Sequence, residues 1–132
     1  MIPFAAFFRA RGLRVNEYGR KTLALLVGEV APPFDFVLTF VQHMIISWSA
    51  AVPLLILLAS PGAGGRSRRI ALGAAYGAAF YVAVNSLALP LLFGDPTPWT
   101  LGFETVYPSL VIHLVYGAVL AATARSGRTA SD

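Results

Sequence analysis

Polar side chains recur at helical spacing inside a stretch of the chain that is otherwise almost entirely apolar. Asp35, Thr39, His43 and Ser47 each follow the previous one by four positions. Residues four apart lie on one face of an α-helix, so these side chains form a single polar stripe. Carboxylate, imidazole and hydroxyl groups on one stripe can hydrogen-bond to neighbouring helices, bind a metal or relay protons.

Two further apolar stretches carry similar stripes. One contains Tyr81 and Asn85, four positions apart. The other contains a longer series, namely Thr105, Ser109, His113 and Tyr116. Polar side chains are costly in contact with lipid, so each stripe is predicted to face the other helices.

The elements that position these stripes are three long apolar runs, at 34–59, 70–93 and 105–124. A membrane-spanning helix needs about 20 such residues. The chain is 57% hydrophobic and 12% charged, whereas soluble domains are about 45–50% apolar and about 25% charged. The sequence therefore predicts an all-α integral membrane protein, with three transmembrane helices in an antiparallel bundle that forms one domain over 34–125.

Counting along the spans places three polar side chains at one depth. His43 lies nine residues after the start of its span and His113 eight, while Asn85 lies eight before the end of its span. At a rise of about 1.5 Å per residue, all three lie roughly 12–14 Å below the same membrane surface. The predicted polar site consists of this layer and the surrounding Asp35, Thr39, Ser47, Tyr81, Ser109 and Tyr116.

The layer has a structural and a functional interpretation, and the sequence leaves both open. Hydrogen bonds between membrane helices contribute about 0.6–2 kcal/mol each and would hold the spans together. Alternatively, the layer senses or relays protons, with Asp35 near the entrance. A third alternative is ligation of a metal or a haem b by His43 and His113, in a subunit of a redox assembly. Zinc alone is not expected, because structural zinc normally takes four ligands.

Other chemistries find no support in the sequence. The chain has no cysteine, which excludes disulfides and iron–sulfur clusters within it. No phosphate-binding loop, HExxH motif or catalytic triad is present, so enzyme activity is not expected. The net charge is +4, but the basic residues flank the apolar runs, as topology signals do. The predicted partner is the lipid bilayer and not nucleic acid.

The basic residues also predict an orientation. Arg66, Arg68 and Arg69 precede the second span, and Arg125 and Arg128 follow the third. The opposite side carries Asp95 and Glu104 together with Arg20 and Lys21. The positive-inside rule therefore places the first linker and the C-terminus in the cytoplasm. Arg20 and Lys21 then lie on the outer side, against that rule.

Residues 1–33 are predicted to form an amphipathic segment at the membrane surface, or one that inserts halfway. Phe4, Phe7 and Phe8 have helical spacing and lie close to arginines, as in interfacial helices. The apolar run 22–31 is too short to span the membrane, and Pro32-Pro33 closes it. Met1–Phe8 has no basic n-region, and Arg9, Arg11 and Arg14 follow this apolar patch, so a cleavable signal peptide is not expected. Residues 126–132 are a polar tail.

Gly73 and Gly77 form a GxxxG motif in the second span. Small residues at this spacing let helices approach closely. The partner helix belongs either to the same chain, or to a second copy or a larger membrane complex. In the latter case the chain would be an accessory or scaffold subunit.

Four stretches together resemble the YagU-like family of small bacterial inner-membrane proteins. They are residues 42–47, 85–91, 96–99 and 113–116, the last leading to Arg125. The resemblance covers 34–125 and implies four spans, a cytoplasmic C-terminus and a multi-pass protein of the bacterial inner membrane. The family often has histidine where this chain has Asn85, so a three-histidine site is not implied. Residues 28–33 look like the end of the family's first span, here shortened, and the family implies no reaction.

Overall fold

A computed structural model describes residues 7–8, 10–12 and 18–124, and all regular structure within them is helical. Helix α1 covers Tyr18–Val27. Three longer helices follow: α2 (Phe34–Ala59), α3 (Arg66–Phe93) and α4 (Phe103–Thr123). These three are long and apolar enough to cross a membrane. The prediction of an all-helical chain with three candidate spans is therefore confirmed.

The limits of the spans differ slightly from the apolar runs. α2 begins and ends as predicted. α3 begins at Arg66 and not at Ile70, because arginine is a good helix former and the first helical turn need not be apolar. α4 begins at Phe103, after Gly102 with a φ of 101°. Each apolar run therefore marks the part of its helix that is suited to lipid, whereas the hydrogen-bonded helix can extend beyond that run.

A π-helical segment interrupts α3 at Tyr81–Ala88. Pro90 follows it and has no backbone N–H, so the regular α-helical bonding pattern cannot continue through this turn. Hydrogen bonds in a π-helix join residues five apart, which widens the turn. Tyr81 and the adjacent pair Asn85 and Ser86 consequently all face inward, and both Tyr81 and Ser86 are completely buried. This segment was not predicted from the sequence.

The closest helix packing is between α3 and α4. A Cβ atom added at Gly73 would overlap the carbonyl of Gly117, and one added at Gly77 would overlap the carbonyl of His113. The missing side chains thus let the two backbones touch. These contact pairs run in opposite order along the two helices. The GxxxG face is buried within the chain, so it is not available to a second copy.

α2 packs on this pair mainly through its second half. Leu54, Leu58 and Ala121 form a buried apolar cluster. Near it, the Tyr76 hydroxyl donates a hydrogen bond to the carbonyl of Ala50. The Arg69 guanidinium closes this end, which we call the Arg69 end. It donates to the carbonyl of Leu58 at the end of α2 (2.9 Å) and to that of Ala124 after α4 (3.1 Å).

α1 lies at the opposite end of the spans, which we call the α1 end. Arg20 forms an ion pair with Asp35 at the start of α2 (3.7 Å), and Lys21 forms one with Asp95 after α3 (2.5 Å). The two basic residues that conflict with the positive-inside rule are therefore each paired with an acid in the folded chain. The Tyr18 ring stacks on Phe93. Burial and the nearby Asp95 raise the pKa of the Tyr18 phenol, so it stays neutral.

Part of the predicted N-terminal segment also packs at the α1 end. Phe7 and Phe8 are helical. The Phe8 ring is buried and packs edge-on against the Tyr107 ring of α4, with centroids 5.5 Å apart. The Arg11 guanidinium lies over the Phe7 ring. Several other residues lie outside the described part of the chain, namely Phe4, Arg9, Arg14, Arg125, Arg128 and the tail 126–132.

Candidate functional site

Both ring nitrogens of His113 form hydrogen bonds. Nδ1 lies 2.6 Å from the backbone carbonyl of Ser109, and Nε2 lies 3.1 Å from the side-chain nitrogen Nδ2 of Asn85. A carbonyl only accepts, so Nδ1 carries the proton. Nε2 then presents its lone pair to an N–H of Asn85. These two bonds specify a neutral imidazole in one tautomer.

α3 surrounds the His113 ring with aromatic side chains. The Phe80 ring stacks on it at a centroid distance of 5.9 Å, and the Tyr81 ring lies tilted at 5.6 Å. The close approach at Gly77 brings the His113 backbone against α3. The position of the imidazole is therefore determined by α3 on several sides, and Asn85 contacts it from within the π-helical segment.

His43 lies at a similar level on α2 but is not hydrogen-bonded to this pair. The carbonyl of Ser47 accepts a hydrogen bond from the Tyr116 hydroxyl at 2.7 Å. His43 is one helical turn before Ser47, and His113 is nearly one turn before Tyr116, which places both rings at similar depth. The His43 Nε2 atom is buried and has no hydrogen-bond partner among the described residues.

Several polar atoms near the level of His43 are buried without an evident hydrogen-bond partner. Thr39 Oγ1, both amide atoms of Gln42 and His43 Nε2 have no hydrogen-bond partner within the described part of the chain, and the buried hydroxyls of Tyr81 and Ser86 have none there beyond each other. All belong to the first half of α2 or to the π-helical segment. Each unpaired buried group costs about 1–3 kcal/mol. Their concentration in one half of the molecule therefore marks a polar site.

Two members of this set were not predicted from the sequence. Gln42 lies three positions after Thr39 and Ser86 directly follows Asn85, so neither fits a strict spacing of four. The i, i+3 spacing of Gln42 could have identified it, since such residues also share a helix face. Ser86 turns inward because of the π-helical segment, for which only Pro90 gives a local signal.

The remaining predicted site residues lie along the same faces. The Asp35 carboxylate pairs with Arg20 and accepts a hydrogen bond from the N–H of Phe36. Ser47 and Ser109 contribute their backbone carbonyls to hydrogen bonds with Tyr116 and His113. These two serines therefore serve the site through their backbones.

The donor set does not fit a haem. Axial ligation needs a free lone pair on each histidine. In His113, Nδ1 is protonated toward Ser109 and Nε2 accepts from Asn85, with Phe80 and Tyr81 beside the ring. A porphyrin at Nε2 would have to replace the Asn85 side chain. Within the described residues, no group of three or more histidine or acidic side chains could hold a metal ion either.

No protein-family model, curated protein or solved structure matches this chain. The resemblance to the YagU-like family therefore stays a prediction. The evidence on function is therefore the arrangement of the polar side chains in the three spans.

Proposed function

We propose that this chain is a multi-pass protein of the bacterial inner membrane, without catalytic activity, whose polar layer responds to protonation. The three spans would form an antiparallel bundle with the C-terminus in the cytoplasm. The observation that carries the proposal is the pair of hydrogen bonds at His113, one to the Ser109 carbonyl and one from Asn85. An imidazole held this way has one open protonation position, Nε2, and one neighbour that must respond when it is filled.

Protonation changes the hydrogen bond between His113 and Asn85. A proton on Nε2 would place two donors face to face across 3.1 Å, which is repulsive. The amide of Asn85 must then rotate to present its oxygen, which makes a charge-assisted hydrogen bond. Asn85 lies in the π-helical segment, and such segments are frequent at functional sites. Protonation is thereby coupled to the orientation of the Asn85 side chain within this segment.

The surface of α2 supports the lipid bilayer as the partner. This helix exposes large apolar side chains along its whole length, including Phe36, Phe40, Ile45, Trp48, Val52 and Ile56. Such a surface is stable in hydrocarbon and not in water. α1 likewise exposes Leu25 and Leu26, which suits a helix in the interfacial region beside the spans.

The proposal is tested by nuclear magnetic resonance on protein labelled with ¹⁵N at histidine and asparagine, in lipid nanodiscs. At neutral pH, we expect the His113 ring nitrogens to show the Nδ1–H tautomer. On acidification, the Nε2 signal and the side-chain amide signal of Asn85 should change with the same midpoint, because one proton alters both groups. The assignment uses Asn85→Leu and His113→Gln variants.

A His113 that stays neutral throughout, with an unchanged Asn85 signal, would overturn the proposal and leave the layer a structural hydrogen-bond network. The haem alternative has its own test in the optical spectrum of the purified protein. A Soret band that disappears in both His43→Ala and His113→Ala variants would support that alternative instead.

A further inference from the structure

The polar atoms without partners are distributed unevenly along the spans. Asp35, Thr39, Gln42 and His43 follow one another on a single face of α2, from the α1 end to the level of His113. The Asp35 side chain is 22% exposed and so reaches solvent. Beyond it, the buried polar atoms of the other three have no partner among the described residues. Water is the ligand whose size and hydrogen-bonding capacity suit such a series.

The Arg69 end has the opposite character. Leu54 and Leu58 of α2 pack with Ala121 of α4 in the apolar cluster. Gly73 and Gly117 bring the backbones of α3 and α4 into contact. The Arg69 guanidinium is itself buried, and it joins the ends of α2 and α4. Among the described residues, no side chain between the level of Ser47 and Arg69 has a buried polar atom that lacks a hydrogen-bond partner.

From this asymmetry we infer that water and protons reach the polar layer from the α1 end only, along the Asp35–Thr39–Gln42–His43 face of α2. The inference rests on the proposed function and adds its regulation: the layer reads the pH of the compartment at the α1 end. The chain is then a one-sided sensor and not a channel, because the path ends at His43 and His113.

The charged groups around the path agree with this role. At its mouth, Arg20 pairs with Asp35, and Lys21 with Asp95. At its inner end, the titratable side chains are His43 from α2, Tyr81 from α3 and His113 from α4. Among these, imidazole alone ordinarily changes its charge between about pH 5 and 8. Protons that pass the Asp35 carboxylate at the mouth therefore find two imidazoles as their acceptors at the inner end of the path.

Cysteine accessibility tests the path directly, because the chain has no cysteine of its own. Thr39→Cys and Gln42→Cys variants are reconstituted in oriented proteoliposomes and treated with a membrane-impermeant methanethiosulfonate reagent on either side. Val41→Cys is the control at matched depth on the outward apolar face. Leu54→Cys is the control in the sealed half.

We expect Thr39→Cys and Gln42→Cys to react from the α1 side on the order of tenfold faster than both controls, because the reaction needs a hydrated thiolate. Equal rates at Thr39 and Val41, or reaction of Thr39→Cys from the Arg69 side, would overturn the inference. If both path variants fail to insert, water-edited solid-state NMR on the unmodified chain replaces them. It should then show water contacts at Thr39 and His43 and none at Leu54, and the reverse pattern would overturn the path.

The path and the proton-linked layer can fail separately. If the His113 signals titrate as proposed but the path cysteines are protected, the layer is proton-linked and the route is wrong. If the path cysteines react while the His113 signals do not titrate, a hydrated path exists and the proposed function is wrong.

Discussion

In the proposed function, His113 is both a structural element and a switch. Its two hydrogen bonds use the full capacity of a neutral imidazole, one as donor to Ser109 and one as acceptor from Asn85. Both hydrogen bonds are therefore possible when the ring is neutral, whereas a protonated Nε2 faces the Asn85 amide donor with no acceptor. A histidine whose lone pair faced only apolar atoms would lack this coupling.

A double-mutant cycle measures the Asn85–His113 interaction. Asn85→Leu and His113→Leu should each lower the stability of the folded protein, and the double variant should cost less than the sum. We expect a coupling free energy of about 0.6–2 kcal/mol, the range found for hydrogen bonds between membrane helices. The measurement is unfolding in detergent at neutral pH. A coupling near zero would show that the observed 3.1 Å contact contributes nothing to stability.

Arg69 is a second residue whose role follows from its contacts. It is buried, and its guanidinium donates to carbonyls at the ends of two different helices. Hydrogen bonds from a charged donor contribute about 1.5–3 kcal/mol each. Arg69→Ala should therefore destabilise the fold by about 2–5 kcal/mol, if the two contributions are partly additive.

The matched control for Arg69 is Arg66→Ala, one turn away on the same helix and exposed. An exposed substitution of this kind usually changes stability by less than about 0.5 kcal/mol. Thermal unfolding of the two variants in the same detergent makes the comparison. Equal losses of stability would indicate that positive charge at the Arg69 end stabilises the fold and that the two hydrogen bonds of Arg69 do not.

At the scale of the elements, hydropathy was a good guide to the spans because lipid imposes a simple length requirement. The polar stripes could also be predicted, since a spacing of four follows from regular α-helix geometry. The π-helical segment departs from that geometry, which is why a spacing of four did not identify Ser86. The ion pairs of α1 join Arg20 to Asp35 and Lys21 to Asp95, and such distant pairings have no local sequence signal.

The close approach of α3 and α4 gives a prediction for glycine. In Gly77→Ala, the added methyl group would overlap the His113 carbonyl, so the helices must separate. Overpacking of this kind costs about 1–3 kcal/mol. The shift would also move His113 relative to Asn85, so the variant should lose both stability and the Nδ1–H tautomer signal.

Gly62→Ala is the control for Gly77→Ala, because an added Cβ at Gly62 meets no atom within 4 Å. Its stability should stay within about 0.5 kcal/mol of the unmodified protein. Both variants are compared by unfolding in detergent and by the histidine ¹⁵N spectrum. A Gly77→Ala protein as stable as Gly62→Ala would contradict the tight α3–α4 contact.

At the scale of the whole molecule, packing and polarity vary together along the spans. The Arg69 end combines glycine-mediated backbone contact, an apolar cluster and a buried arginine. The α1 end combines the partnerless polar atoms, the π-helical segment and a short helix joined to the spans by ion pairs. In the proposed function, the tightly packed Arg69 end holds the spans together while the protonation of His113 changes its contact with Asn85.

Orientation decides which compartment such a molecule reads. Arg66, Arg68 and Arg69 at the Arg69 end predict that this end is cytoplasmic. Alkaline phosphatase inserted after Gly62 should then be inactive, and the same reporter inserted after Thr97 should be active, because the enzyme folds only outside the cytoplasm, where disulfides form. Green fluorescent protein at both sites provides the reciprocal control. The reverse pattern would place α1 and the mouth of the path in the cytoplasm, so the layer would then respond to cytoplasmic pH by the same chemistry.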